Sequence, residues 1–359
     1  MTPYLKQMVK RRNIKHLIDK VSEGIKNVSP AYAIPGGEVV LDGGDFAVGA
    51  GGFACLFGGT AAHMTGASSR RIIAIVPEDS VDGEVNISLT GAGTGAGEAK
   101  ILIGKRLAED MHIVANPAFD PNDGSLVLTR SGSRGQSLPV TLFRLETDGY
   151  LEEIPAEIMN PTGVAFANSG QLFVTNRAQG TVCRISRTGE VVPFATDLGI
   201  ATGIAFDKQS TMYIGDRSGT IYRIKSIDSR EVFAALEPSV SAYHMAFSPA
   251  GDLFVTAPGL SSYDGIWRIN PLGEVGSFYR GLGRPQGLAF DREGNLYVAA
   301  CLRGKRGIVR ISPDGNQAEV LVSGMNVIGL CFSAQGDMIV ATSEEVFSLP
   351  LGIHGTLLN

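Results

Sequence analysis

All-β architecture follows from three observations on the 359-residue sequence. One phrase occurs six times: an apolar run, a tight polar turn carrying glycine, and a second apolar run. Residues 287–300, Gly-Leu-Ala-Phe-Asp-Arg-Glu-Gly-Asn-Leu-Tyr-Val-Ala-Ala, state it most fully, and it reads as strand, hairpin turn and strand. Its phenylalanine recurs as Phe119, Phe166, Phe206, Phe247, Phe290 and Phe332, at intervals of 40 to 47 residues. After each turn comes an apolar triplet, from Leu126-Val127-Leu128 through Leu172-Phe173-Val174 to Met338-Ile339-Val340. A period near 40 to 45 with four short strands per unit is the mark of a β-propeller. The third observation is the stretch 29–107, built of short apolar or alternating runs between Gly and Pro turns, as in a small antiparallel sandwich. The prediction is a six-bladed β-propeller over 108–359, an immunoglobulin-like β-sandwich over 28–107 and a short helix over 1–27.

The amino end stands apart in charge. Residues 1–27 carry seven Lys or Arg against Asp19 and Glu23, in a chain whose net charge is -5. Ile14, Leu17, Ile18 and Val21 follow the i, i+3, i+4, i+7 rule of one helix face. Such a helix docks on the body or on a neighbouring subunit, making it a candidate oligomerisation element; the competing reading is a basic membrane-surface helix. No apolar run follows Lys10-Arg11-Arg12, so no secretory signal is expected. No stretch approaches the ~20 apolar residues of a spanning helix. The 44% hydrophobic and 19% charged content is that of a soluble globular protein. The negative balance disfavours a general nucleic-acid binder. Cys55, Cys183, Cys301 and Cys331 form no CxxC pair and read as buried free thiols, which fits a reducing, cytoplasmic compartment.

Within 28–107, Pro35-Gly36, Gly43 with Phe46, Leu56-Phe57-Gly58-Gly59 and Val76-Pro77 follow one another in an order that resembles the TIG (IPT) family of immunoglobulin-like domains. The resemblance implies a spacer or interaction platform without catalytic residues of its own. Gly91-Ala-Gly93-Thr-Gly95-Ala-Gly97 looks like a phosphate-binding loop, but Ala96 sits where the third glycine of GxGxxG would fall. Lys100 to Gly104 then reads as a strand rather than a helix, so a hairpin loop is preferred.

In the propeller, each blade has an inner strand ending at its Phe, with further strands such as Thr181 to Ile185 and Ile308 to Ile311. The last blade has Glu345 to Leu349 and little after it. Six self-contained blades are expected, with no strand exchanged to close the ring. The turns between first and second strands are short and alike, and so form the smooth bottom. Loops at the opposite, top face are longer: Arg130 to Pro139, Ala257 to Gly265 and Ala300 to Gly307. Variable loops on a rigid scaffold are where binding resides. These loops hold slightly more basic than acidic residues, Arg177 and Arg217 among them, which suits an anionic ligand.

Pro161-Thr-Gly-Val-Ala-Phe and Pro285-Gln-Gly-Leu-Ala-Phe resemble the NHL repeat. More distantly, the repeats resemble the gluconolactonase (senescence-marker) propellers. That second resemblance implies a divalent metal on the central axis, held by an inner-strand Glu, an Asn before the blade's glycine and an Asp in a later blade. Here the residues before the glycine position are Ala115, Thr162, Thr202, Tyr243, Gln286 and Ile328. None is a carboxylate, so the oxygen cage a hard cation needs is missing and no metal or other cofactor is expected. His244 takes a slot that is Gly in four blades and Asn116 in the first. It reads either as a hydrogen-bonded packing residue or as a ligand-contacting or general-base histidine. Asn176 and Asp216, at the top ends of second strands, are ligand candidates or turn caps. Arg130 and Arg284 complete the candidate site, while Trp267 reads as packing between blades. GxSxG, HExxH and paired Cys/His ligands are missing, so no covalent or zinc mechanism is signalled. RNA binding would want a strongly basic top with exposed aromatics; Tyr263 and Phe278 are too few. The reading is a propeller binding a small molecule or protein at its top face, with the TIG-like domain as a positioning module. The alternative is a hydrolase or lyase of the gluconolactonase-like superfamily acting at the same mouth.

Overall fold

The computed structural model describes residues 24–49, 51–91, 98–132, 138–227, 229–259 and 263–356. The helix expected over 1–27 falls outside these residues up to position 23. From Ile25 the chain is already a strand, Ile25–Ser29. Two compact units meet at the Ile103/Gly104 bond.

The first unit is a sandwich of two sheets. One orders Ile25–Ser29, Glu38–Gly43, Arg71–Ile75 and His63–Ala67; the other contains Tyr32–Ala33, Glu98–Ile103, Gly83–Thr90, Ala54–Phe57 and Thr60–Ala61. Alternation decides which face is buried. Val39 and Leu41 point inward with Ile72 and Ala74 from the next strand, against Ile87 and Ile101 from the other sheet. Period-two burial of this kind is what one packed face demands. Gly83–Thr90 and Glu98–Ile103 pair antiparallel; the hairpin loop expected of the glycine-rich run falls at 92–97, outside the described residues.

The second unit contains six four-stranded antiparallel sheets. In chain order their first strands are Ala118–Phe119, Pro161–Phe166, Ala201–Phe206, His244–Phe247, Leu288–Phe290 and Val327–Phe332. Each of these neighbours the next, and the sixth neighbours the first. The recurring phenylalanine now has a physical role. In four of the six sheets it packs on the aromatic ring at the centre of the preceding sheet's apolar triplet. Phe206 meets Phe173 at 5.5 Å, Phe247 meets Tyr213 at 5.0 Å, Phe290 meets Phe254 at 4.8 Å and Phe332 meets Tyr297 at 5.2 Å. Each tilted or edge-on pair adds about 0.5–1.5 kcal/mol beyond its burial.

Two expectations need correction. The sixth sheet is not self-contained: Lys105–Ala108 pairs antiparallel with Val346–Leu349, with Arg106 opposite Phe347. After Leu349 the chain offers no further strand of its own among the described residues. The open edge of Val346–Leu349 is a row of unpaired backbone groups, and the early strand covers it. Residues 104–107 therefore belong to this unit and not to the sandwich. The second correction concerns 300–307, expected as a long loop. Strand Leu296–Leu302 runs on through it and turns at Arg303-Gly304 into Lys305–Ile311. Both turn residues have positive φ, 51° and 84°, the two-residue turn that matches strand twist. The extension also pairs with the end of Val275–Gly283 in the fourth sheet.

Candidate ligand site at the mouth of the inner strands

The repeat glycine explains how closely the inner strands approach. A Cβ on Gly163 would lie 2.6 Å from the carbonyl oxygen of Thr202, and one on Gly203 would lie 2.9 Å from that of Tyr243. The series continues with Gly287 against Ile328 (2.8 Å) and Gly329 against Ala115 (3.1 Å). At this level each strand presses backbone to backbone on the next, and only glycine leaves room. Two sheets break the pattern, with Asn116 in the first and His244 in the fourth. Asn116 lies beside the fifth and sixth sheets, where its Nδ2 donates to the Leu288 carbonyl at 3.0 Å and its Oδ1 accepts the Leu330 N–H at 3.1 Å.

Three of the residues before the glycine slot, Thr162, Thr202 and Tyr243, form a buried polar layer. Thr162 Oγ1 donates to the Ala201 carbonyl at 3.2 Å. Thr202 Oγ1 donates to the Gly215 carbonyl at 3.2 Å and accepts the Tyr243 N–H at 3.1 Å. The Tyr243 side chain is fully buried and donates its hydroxyl to the Glu237 carbonyl. Burial, then the nearby Asp216 and Glu237 charges, push its phenol up to about 12. Gln286 is half-buried and its backbone joins the Ala299 carbonyl.

Second-strand threonines opposite the glycine slots complete the layer, and the sequence reading passes over them. Thr175 Oγ1 donates to the Thr202 carbonyl at 3.2 Å, and Thr256 Oγ1 to the Gln286 carbonyl at 2.7 Å. Their counterpart in the first sheet, Thr129, is buried with no partner for its hydroxyl among the described residues. A search for Thr one register position across from the repeat glycine would find them.

His244 stands opposite Thr256 and is only 6% exposed. Its imidazole makes no hydrogen bond among the described residues, yet its nitrogens are not among the fully buried atoms left without a partner. Burial lowers its pKa to about 4, and the ring is neutral at pH 7.

The other candidates lie where second strands end. Asn176 Oδ1 accepts the N–H groups of Ala178 and Gln179 at 3.1 and 3.2 Å. Asp216 accepts from Ile200 N at 2.8 Å, Ser218 N at 3.0 Å and the Ser218 hydroxyl. Both are buried and cap their turns. Arg130 lies over the Phe143 ring at 5.9 Å. Arg284 is exposed, with a φ of 45°. Trp267 is half-buried beneath the Arg280 guanidinium at 5.6 Å.

Comparison with known proteins decides the family. A family model described as the SMP-30/gluconolactonase/LRE-like region matches residues 161–344, and an IPT/TIG domain model matches 24–102. The chain belongs to the SMP-30/gluconolactonase/LRE-like family. A comparison with curated proteins finds no match. Among solved structures, an auxiliary nutrient binding protein from Bacteroides ovatus superposes with a TM-score of 0.53 at 14% identity, covering 92% of this chain and 98% of its own. A second, from Bacteroides thetaiotaomicron, gives 0.54 at 12%, with 92% and 98% covered. A gluconolactonase from Xanthomonas campestris gives 0.52 at 13%, covering 68% of this chain and 88% of its own. At these identities the likeness is one of fold.

The metal centre implied for an SMP-30/gluconolactonase-like chain meets a poor donor set here. Thr162 and Thr202 commit their hydroxyls to neighbouring carbonyls, Tyr243 keeps its proton, and none of the residues before the glycine slots is a carboxylate. A dication without anionic oxygen ligands would not recover its dehydration cost. Among the described residues, no three His, Cys, Asp or Glu side chains converge. The four cysteines are free, with burial pushing the Cys55 thiol up to about 12.

Proposed function

We propose that the six sheets are the blades of a closed six-bladed propeller and that this protein binds a small polar ligand at the axial mouth, on the face where second strands end. One observation carries this reading: His244 is almost fully buried and neutral, and among the described residues its imidazole has no hydrogen-bond partner. A ring nitrogen that no described protein group satisfies is left to water or to a ligand, and a ligand hydrogen bond there would contribute about 0.5–1.5 kcal/mol. Thr129 adds a second unpartnered buried group. In a ring of six, the first and fourth sheets face each other, so the two groups would contact a ligand from opposite sides. The nutrient-binding proteins of the same fold support a binding role, and the TIG domain supplies an interaction or positioning module.

The competing reading, a lactonase-like hydrolase or lyase, draws on the family match. It lacks the carboxylates on which that chemistry would be built. A thermal-shift screen of monosaccharides, sugar acids and lactones tests the first reading. A hit should raise Tm in the parent protein, and His244→Gln and Gln286→Ala should reduce the shift. Hydrolysis of glucono-1,5-lactone that requires calcium and stops with a chelator would replace binding by catalysis.

A further inference from the structure

Arg177 and Arg217 occupy matching places in the second and third sheets, each directly after the capping residue that ends a second strand. Their turns flank one segment, 197–200. On one side Leu198 N–H donates to the Gly180 carbonyl at 3.0 Å. On the other, the Ile200 N–H goes to Asp216 at 2.8 Å and the Ile200 carbonyl accepts the Arg217 N–H at 3.1 Å. Both arginines are half-buried.

The Arg177 guanidinium is depressed first by burial and then by the charge of Arg217. Two cations thus share a partly dry site. The surrounding elements bring three carboxylates. Asp216 already receives three donors. Asp197 is exposed and accepts from Thr196 Oγ1 at 3.3 Å. Glu237 is exposed on the segment that follows the third sheet. Among the described residues neither arginine forms an ion pair with any of them, whereas Arg71, Arg106, Arg144, Arg187, Arg223 and Arg310 each have an acidic partner within 4.0 Å.

We propose that Arg177 and Arg217 form an anion clamp that holds the oxyanion group, carboxylate or phosphate, of the ligand taken up at this face. The inference rests on the binding reading above and adds the ligand's charge. Two guanidinium groups carried on adjacent turns offer forked donors of the kind that planar or tetrahedral oxyanions accept bidentately. Bringing like charges together is unfavourable in the free protein, and an anion reverses the sign of that interaction.

The test is isothermal titration of the full-length protein with D-gluconate and with inorganic phosphate, using D-glucose as the neutral control. Both anions should bind, more weakly as salt rises, and glucose should not match gluconate. Arg177→Gln and Arg217→Gln should each weaken binding about tenfold or more. Arg184→Gln, on an exposed arginine of the same sheet, should not. Without anion, Arg177→Gln should melt at or above the parent Tm, because a repulsion is removed; a clear drop would mark the arginine as structural and overturn the clamp. The clamp also fails if neither anion binds in the millimolar range, or if both arginine variants bind like the parent. If His244→Gln abolishes binding while the arginine variants do not, the mouth reading stands and the clamp falls. The reverse pattern leaves the clamp and removes the mouth.

Discussion

A single buried histidine sets a pH dependence. His244 has a folded pKa near 4, against about 6.5 in an unfolded chain. Between these values the unfolded state binds the extra proton, so stability is complete above pH 6.5 and declines as pH falls toward 4. The loss reaches about 3 kcal/mol. Chemical denaturation at pH 7 and pH 4.5 should show this slope in the parent protein and a shallower one in His244→Gln. The glycine slots make a second prediction at the same scale. Gly163→Ala places a methyl against a backbone carbonyl that cannot turn aside and should cost about 2 kcal/mol or more. Gly276→Ala, with open space around its Cβ position, should be neutral or slightly stabilising. The sequence marks the slot residues themselves, because Thr162, Thr202, Tyr243, His244 and Gln286 stand at fixed offsets from the repeat phenylalanine. The partners of Thr162, Thr202 and Tyr243 are backbone carbonyls, which leave no trace in residue identity. That is why Thr175 and Thr256 pass unnoticed.

Among the strands, legibility follows burial. Inner and second strands read clearly, since both their faces are packed and their residues are apolar. Lys105–Ala108 is an edge strand with two charged members, half exposed, and its partner lies at the far end of the chain. Nothing local distinguishes it from a connector. The ribbon through Arg303-Gly304 hides for the same reason, since its tip is exposed and basic. The closing strand can be tested by comparing chains that begin at residue 104 and at residue 109. The shorter chain loses the cover on Val346–Leu349 and the burial of Ala108 in the core shared by the first and last sheets. A loss of about 3 kcal/mol, or roughly 6–12 °C in Tm, is expected, together with self-association through the bared edge. Equal melting of the two would show that the strand contributes nothing.

Across the whole molecule, the two units keep separate cores. The buried cluster of the sandwich draws every member from residues 25–103. A polypeptide of residues 24–103 should therefore unfold cooperatively and give a dispersed amide spectrum by itself. A collapsed spectrum would show that the sandwich depends on the rest of the chain. Fold class was open to reading at this scale because repetition multiplies a weak signal sixfold; the closure was not, because it happens once.

That closure has a consequence in time. The strand that completes the sixth sheet leaves the ribosome long before its partner around Phe347 is made. Until Val346–Leu349 emerges, Lys105–Ala108 has no mate, while the sheets between can already form. Pairings of such long sequence separation form late and slowly. The nascent protein therefore passes through a stage with bare strand edges, and its sixth sheet is completed only once Val346–Leu349 has emerged.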